Sequence, residues 1–344
     1  MTNRNFVFKE GISIIVCCYN SVERLRPTLY HIAHQIVAPD ISWEVIIVDN
    51  NSSDDTGKFA QEIWDSFKVS VPFKVVLESE PGLMHARNRG LDESGFSYLI
   101  FADDDNSLNY NYVNVVHEIF TTNSSVAVCN GDSFAEIPKD FDLPFWWNDF
   151  KSGYAVGIQG TKEGILPSNK HFLWGAGISF RKKALIEMYQ GGFQNYLTGR
   201  KGKSLTAGED SEICIGLLLL NYELYYSPRL SLIHHIPLDR INREYLEKQR
   251  IGFASCAAIL SIYKQVLKKK RQNRFIIYLG HCFLMIIKSH VFYILAPEKC
   301  EVKRLKQYFL LKESKELFFS TFFLGRKKYN EIRNTAMNLK RLNR

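Results

Sequence analysis

The sequence predicts an α/β protein, a mostly parallel, Rossmann-like sheet flanked by helices, followed by a basic helical C-terminal region. Three observations predict it. Apolar runs that read as buried strands alternate with amphipathic helical stretches over about 130 residues. Carboxylates and amides gather at the carboxyl ends of those runs, where open sheets bind ligands. Charge also divides along the chain: residues 1–239 carry 20 Lys and Arg against 29 Asp and Glu, whereas residues 240–344 carry 24 against 7. The net charge of +8 therefore conceals an acidic body and a strongly basic tail.

Ser13–Cys18 is a buried strand that runs into the polar pair Tyr19-Asn20. A helical pattern follows through Leu25, Leu29, Ile32 and Ile36, with Pro27 starting it late or kinking it. Trp43–Asp49 is a second strand ending in a carboxylate. Asn50–Asp55 is a turn in which Ser53 or Asp54 would cap a helix through Phe59 and Ile63. Phe73–Leu77 is a third strand, and after Pro81-Gly82 comes a short helix over Met84–Leu91. Tyr98–Ala102 is a fourth strand, followed by Asp103-Asp104-Asp105-Asn106, a helix through Tyr112 and Ile119, and a fifth strand at Val126–Cys129. Between Phe134 and Lys170 the pattern loosens around Trp146-Trp147, and an irregular segment is expected. Phe172–Phe180 is a loop feeding a strand, where Gly175 and Gly177 allow either close backbone approach to a ligand or a tight turn. Residues 191–208, rich in glycine and lysine, are expected to form a surface loop. Gly208 opens a helix with Ile213, Leu217 and Leu220 on one side. Short strands follow at Leu224–Ser227 and Leu230–Ile233, the second ended by His234-His235.

Adjacent carboxylates repel each other and resist burial, so Asp103–Asp105 at a strand end wants a cation. A solvated acidic turn is the plainer alternative. Asp103, Asp105 and one histidine could hold Mg²⁺ or Mn²⁺ bridging a diphosphate, with the ion stabilising charge on a departing phosphate. Glu209 or Asp210 could take a proton from an incoming hydroxyl, although carboxylates in a first helical turn also favour the helix dipole. Arg87 and Arg89, beside His85, could touch phosphate oxygens or simply line a solvated helix face. Hydrogen-bonded surface histidines remain an alternative for His234 and His235.

Composition narrows the class. A hydrophobic fraction of 46% suffices for an ordinary core. The seven cysteines are scattered without CxxC pairing, which fits reduced thiols better than a disulfide framework. Met1–Gly11 shows no signal-peptide pattern, so a cytoplasmic location is expected. No GxGxxG follows the first strand and no GxxxxGK[ST] occurs, which argues against a dinucleotide fingerprint and a P-loop nucleotidase.

Six blocks in order now resemble a known family: SIIVCCYN (Ser13–Asn20), EVIIVDNNSSDDT (Glu44–Thr56), EPGLMHARNRG (Glu80–Gly90), LIFADDDN (Leu99–Asn106), WGAGISF (Trp174–Phe180) and AGEDSEI (Ala207–Ile213). Together they resemble a family 2 glycosyltransferase of GT-A fold, of the bacterial surface-polysaccharide type, over about residues 11–240. The resemblance implies a nucleotide-sugar donor, with a UDP-sugar the first choice, and inversion at the anomeric carbon. It places Asp49 near the uracil and ribose, assisted by Asp54 or Asp55, with Tyr19 and Asn20 in the same donor site. Asp103-Asp104-Asp105 falls on the DxD position: Asp103 would face ribose or sugar, Asp105 the metal-diphosphate, and Asp104 would be largely a spacer. Arg87 would lie near the donor, and Trp174-Gly175 where donor sugar and acceptor meet. Glu209-Asp210 matches the ED motif with Asp210 the favoured base. His234 would be the third metal ligand, with His235 as the alternative in a doubled histidine.

The resemblance fades after residue 240, giving a catalytic domain over 1–240 and a basic helical region over 241–344. Lys268-Lys269-Lys270-Arg271 precedes an apolar run, Phe275–Ile287, and makes 268–296 a candidate membrane-associating segment. The run falls short of the roughly 20 residues of a span, so an interfacial helix or hairpin on anionic headgroups is preferred. A core helix and a single span with Lys288 snorkelling are the alternatives. By analogy with the resembled family, the acceptor is expected to be a glycan or lipid-linked saccharide, with the enzyme peripheral on the cytoplasmic face of the inner membrane. No nucleic-acid motif is present. Nucleotidyl transfer and a non-catalytic nucleotide-sugar-binding module are the competing functions. The polar turn Tyr19–Glu23 fits the first poorly, and the intact DDD and ED motifs argue against the second.

Overall fold

The structure, a computed structural model, describes residues 8–199, 207–268, 275–297 and 300–342. These fall into two compact units. One comprises the described residues up to Ile137 with Ala155–Gln190 and Asn221–Ile236. The other comprises Pro138–Tyr154 and the described parts of Gly191–Leu220 and Pro237–Arg344. The expected boundary at residue 240 lies near the last crossing, but two earlier stretches group with the C-terminal helices.

In chain order the first unit begins with β1 (Lys9–Cys18), α1 (Leu25–Ala33), β2 (Trp43–Asp49), α2 (Thr56–Phe67), β3 (Phe73–Leu77) and α3 (Leu83–Glu93). It continues with β4 (Phe96–Asp103), β5 (Asn106–Leu108), α4 (Tyr112–Thr122), β6 (Val126–Asn130) and β7 (Ser133–Ala135). The chain then enters the second unit with the short α5 (Trp147–Phe150), returns for β8 (Gly164–Ile165), β9 (Ser179–Arg181) and α6 (Lys182–Gln190), and leaves again for α7 (Glu209–Leu219). β10 (Glu223–Tyr226) and β11 (Leu232–His234) close the first unit. α8 (Arg243–Leu267), α9 (Phe275–Ile294) and α10 (Glu301–Arg341) complete the second.

The main sheet has eight strands in the order β3-β2-β1-β4-β9-β6-β10-β8. β1 is central, and Ile12, Ile14, Ile15 and Val16 are all fully buried, as expected of a parallel strand covered on both faces. Leu25, Leu29 and Ile32 of α1 and Val115, Val116 and Ile119 of α4 belong to the same core. The sheet is not all parallel: β9 runs antiparallel between β4 and β6, and β8 antiparallel to β10. β5, β11 and β7 form a second, three-stranded sheet in that order, and its Leu108 and Leu232 belong to the same core.

Two expectations for α1 are corrected. α1 begins at Leu25 with Pro27 inside its first turn, where the missing N–H costs no intrahelical bond, and it ends before Ile36, which is exposed. α3 packs on the sheet at Gly90, where an added Cβ would come within 2.3 Å of Ile15 Cγ2, so only glycine permits this approach.

In the second unit α8 and α10 run parallel. Glu247 pairs with Lys312, Arg250 with Glu313, and the Tyr329 hydroxyl donates to Gln265 Oε1 at 3.2 Å. Asn242 caps α8 by accepting from the Tyr245 N–H at 2.8 Å. α10 breaks its helical geometry at Gly325, where φ is 70°. α9 is one unbroken helix, long and apolar enough to cross a membrane by length and composition, and most of its surface is exposed, unlike a core helix. Lys269, Lys270 and Arg271 of the basic cluster lie outside the described residues.

Candidate active site

Three parallel strands deliver polar residues to one edge of the first unit. The register pairs Cys18 with Asp49 across β1–β2 and Cys17 with Asp103 across β1–β4, so Tyr19-Asn20, Asp49 and Asp103 emerge side by side. Asn20 takes a positive φ of 50°, which amide side chains tolerate. Its Oδ1 accepts from the Ser53 N–H at 2.8 Å, and its own N–H donates to Ser52 Oγ at 3.0 Å. Asp49 Oδ1 accepts from the Ser52 N–H at 3.1 Å. Asp54, exposed like Asp55, accepts from the Thr56 N–H at 3.1 Å and from its hydroxyl and so supports the start of α2, but the N-cap is Asp55, not Ser53 or Asp54 as the sequence suggests. Tyr19 is exposed at the same edge.

The three consecutive aspartates have different surroundings. Asp104 is no spacer. It is buried, accepts from Arg24 Nε at 2.8 Å and a terminal guanidinium nitrogen at 2.7 Å, and takes the Ser21 hydroxyl as well. Burial, opposed by Arg24 and reinforced by Asp105, leaves its carboxyl above the ordinary range. Arg24 also donates to the carbonyls of Asn20 and Tyr19, so this pair ties the end of β1 to the end of β4. Arg24→Ala is expected to destabilise the fold by about 2 kcal/mol, less than a fully buried pair because Arg24 is partly exposed, measurable as a lower urea midpoint.

Asp103 ends β4, and loss of water around its carboxyl pushes it up to about 6. Arg87 pulls it down, Asp105 and Asp104 push it further up, and His234 opposes them. Asp105 Oδ1 accepts from Asn106 Nδ2 at 2.9 Å and lies 3.5 Å from His234 Nε2. The second sheet makes that meeting. β11 pairs antiparallel with β5, opposing His234 to Asn106, and the His235 N–H donates to the Asp105 carbonyl at 2.9 Å. His235 points elsewhere: its Nδ1 lies 2.6 Å from Glu136 Oε2 and its Nε2 2.7 Å from Ser107 Oγ.

A divalent cation fits this chemistry. Asp103, held above its ordinary range mainly by burial and further by Asp105 and Asp104, is a group that a cation would relieve. Among the described residues no three His, Cys, Asp or Glu side chains are grouped as a ready-made metal site.

Arg87 is buried on the inner face of α3, one turn before Gly90, with its guanidinium 5.9 Å from the Phe101 ring centre. Arg89 turns outward and pairs with Glu93 at 2.9 Å. Burial pushes the Cys17 thiol up to about 12, so it stays protonated. Because β9 is antiparallel, the loop before it returns to the carboxyl end of β4, where the Phe101 N–H donates to the Ile178 carbonyl at 2.9 Å. Buried side chains fix this loop. Gln159 Oε1 accepts from the Trp174 N–H at 2.6 Å, Asn130 Nδ2 donates to the Trp174 and Ala176 carbonyls at 2.8 and 2.9 Å, and the Tyr112 hydroxyl donates to the Gly177 carbonyl at 2.7 Å. Gly177, at φ 71°, is the glycine the turn requires: a Cβ there would meet Leu232 at 2.6 Å.

In the second unit Gly208 caps α7, and Glu209, Asp210 and Glu212 occupy its first turn. Asp210 Oδ1 accepts from the Ser211 N–H at 2.6 Å and is half-buried; Glu209 is buried. Glu212, fully buried, accepts from the Tyr196 N–H at 3.1 Å and the Leu197 N–H at 2.9 Å. The described part of the segment expected as a surface loop is therefore anchored on α7, and its residues 200–206 lie outside the described residues. Burial pushes the Glu212 carboxyl up to about 8. The folded state then holds a proton that the unfolded chain releases near pH 4.5, so stability falls as pH rises from about 5 to 8. Thermal melts across that range should show a loss of at most roughly 4 kcal/mol, and Glu212→Gln should flatten the slope.

Sequence reasoning missed the residues that hold these groups in place: Ser21 and Arg24 under Asp104, Glu136 and Ser107 on His235, Asn130 and Gln159 behind Trp174, and Glu212. The partners lie far apart in the chain, 80 residues for Arg24 and Asp104, so no local pattern announces them.

With this geometry in place, comparison with known proteins identifies the family. The model for "Glycosyl transferase family 2" matches residues 13–189, just over half of the 344 residues. The chain is 25% identical over 126 residues to cholesterol galactosyltransferase of Borreliella burgdorferi, covering 37% of this chain and 34% of that protein. It is 32% identical over 124 residues to poly-β-1,6-N-acetyl-D-glucosamine synthase of Staphylococcus epidermidis, covering 36% and 28%. The matched region thus spans about a third or less of these relatives' lengths. TarS of S. aureus (residues 1–349) in complex with UDP-GlcNAc superposes with a TM-score of 0.52 at 14% identity, over 96% of this chain and 92% of that one. Mannosyltransferase PcManGT from Pyrobaculum calidifontis, in complex with GDP-Man and Mn²⁺, gives 0.53 at 15% identity, over 98% and 87%. At those identities the two structures establish a GT-A-like fold. The family model runs from β1 through α6, across the strand ends that gather the aspartates, and on that match the chain belongs to glycosyl transferase family 2.

Proposed function

We propose that the chain transfers a sugar from a nucleotide-sugar donor, with a UDP-sugar as first choice, to a hydroxyl of a glycan or lipid-linked saccharide, inverting the anomeric carbon. The observation that carries this reading is the meeting of Asp103, Asp105, Arg87 and His234 at the strand ends of a family 2 chain. The UDP-GlcNAc and GDP-Man bound by the two fold neighbours support a nucleotide-sugar donor, and the Mn²⁺ of one supports a divalent ion. The catalytic machinery is carried by residues 1–240, in a cytoplasmic enzyme whose acceptor is met at the inner face of the membrane.

Each residue then has a role. Asp49, flanked by Tyr19, Asn20 and Asp55, takes the nucleoside, while Asp54 supports the turn behind it. Asp103 faces the ribose or sugar, and Arg87 meets phosphate oxygens with its planar fork. Asp105, Asp103 and His234 would hold Mg²⁺ or Mn²⁺. His235, with both ring nitrogens engaged by Glu136 and Ser107, orients its neighbour instead of binding the ion. When bound, the ion supplies Lewis-acid stabilisation of charge on the departing diphosphate. Trp174 and Gly175 border the place where donor sugar and acceptor meet. Asp210 of the ED motif, with Glu209 beside it, takes the acceptor proton as the oxygen attacks from the face opposite the leaving group.

The test is release of nucleoside diphosphate from UDP-, GDP- and dTDP-sugars, with and without saccharide acceptors. Turnover should appear with Mn²⁺ or Mg²⁺, vanish in EDTA and return when metal is restored. Full activity in chelator would remove the ion and His234 from the mechanism. Binding without turnover of any donor would leave a non-catalytic module.

A further inference from the structure

We propose that α9 and the first half of α10 form a two-helix plate that lies flat on an anionic lipid bilayer, inserting apolar side chains without crossing it. This inference stands on the second unit alone and does not depend on the proposed sugar transfer. α9 attaches to its own unit along one narrow side. Tyr278, Cys282 and Ser289 are its buried residues, with Cys282 Sγ 3.9 Å from Thr321 Oγ1 and Ser289 Oγ 2.7 Å from Ser314 Oγ. These two pairs set an antiparallel register with α10 along most of the helix. The opposite face is apolar and bare: Ile276, Phe283, Leu284, Ile287, Val291 and Ile294 are 47–72% exposed and fall within one arc at helical spacing.

The apolar face continues onto α10. The Phe283 ring lies 5.8 Å from Phe318, which in turn meets Phe319 and Phe322 at 5.5 and 6.4 Å. Phe319, Phe322 and Phe323 are 50%, 54% and 79% exposed. An exposed apolar surface shared by two helices is unusual for a freely soluble surface and marks a contact face. Charge selects the occupant. α9 contains no Asp or Glu, and none occurs in α10 from Leu317 to Asn330. Lys288 on α9 and Lys315 on α10 are exposed and level with each other in the register, and Arg326 and Lys327 follow the phenylalanines. Apolar and aromatic side chains bordered by cations match acyl chains beneath anionic headgroups.

The same contacts exclude a span. α10 lies along α9 and carries Lys312, Glu313, Lys315 and Glu316 at the depth α9 would occupy. Burying those charges in hydrocarbon would be costly, so a helix fastened to them stays at the interface.

Vesicle co-sedimentation of the full chain tests this, using phosphatidylcholine alone and phosphatidylcholine with phosphatidylglycerol. Binding should favour the anionic vesicles and weaken as salt rises. Phe319→Ser/Phe322→Ser/Phe323→Ser should lower partitioning roughly tenfold or more with the melting temperature unchanged. Lys288→Gln/Lys315→Gln, which leaves the apolar face intact, should reduce the preference for anionic over neutral vesicles. Carbonate should strip the bound protein. A wild-type chain that stays in the supernatant, or a triple variant that binds as well as wild type, would overturn the proposal. So would resistance to carbonate, which indicates a span, or a dimer in light scattering that the triple variant dissolves, which indicates a second copy on the face.

Discussion

Asp210→Asn is expected to lower transfer turnover by about 10²–10⁴-fold while leaving nucleotide affinity and thermal stability nearly unchanged. A general base contributes a factor of that size because it removes the acceptor proton as the new bond forms. Asparagine keeps the oxygen that accepts from the Ser211 N–H at 2.6 Å, so the first turn of α7 should remain intact. The defect should therefore fall on kcat and spare the binding of nucleoside diphosphate, a split that initial rates and calorimetry measure together. Near-normal transfer with the same product would reassign the base. Glu209→Gln is the companion variant, and the larger defect of the two names the base.

Asp105→Asn should act on the other half of the reaction. Asparagine preserves the shape and can still accept from Asn106 Nδ2, but it removes the charge 3.5 Å from His234. Metal-assisted donor binding should weaken by at least roughly 100-fold, and activity should fall with it. The histidines supply an internal contrast. His234→Ala should reproduce the loss. His235→Ala, which breaks contacts to Glu136 and Ser107, should cost stability and a smaller part of the metal affinity. Equal losses from both would mean that the pair acts as a unit.

The candidate site was legible in the sequence where its signals are local. Asp49 and Asp103 end apolar runs, and a strand end in an open sheet is where ligands collect, so their convergence follows from the alternation of strands and helices. The reversal of β9 was not legible, because a strand's direction depends on which neighbours it pairs with. That reversal carries Trp174 back to the end of β4. The small second sheet was hidden for the same reason. Its strands are three residues long and drawn from three distant places, yet they decide that His234 meets Asp105. Asp104 shows the limit most plainly. As the middle residue of the DxD position it looked like a spacer between two working neighbours, whereas Arg24 and Ser21 make it the tie between β1 and β4. The division at residue 240 followed the fading of motifs, but contacts group α7 and its ED pair with the C-terminal helices.

On the proposed reading, the strand-end aspartates bind a nucleoside diphosphate together with a divalent ion. Thermal shift of the full chain with UDP, GDP and dTDP, each with Mn²⁺ and with EDTA, tests it most directly. One nucleotide should raise the melting temperature by a few degrees with Mn²⁺, much less in EDTA, and not at all in Asp105→Asn. A melting temperature indifferent to every nucleotide with and without metal, or a shift that Asp105→Asn retains in full, would contradict it.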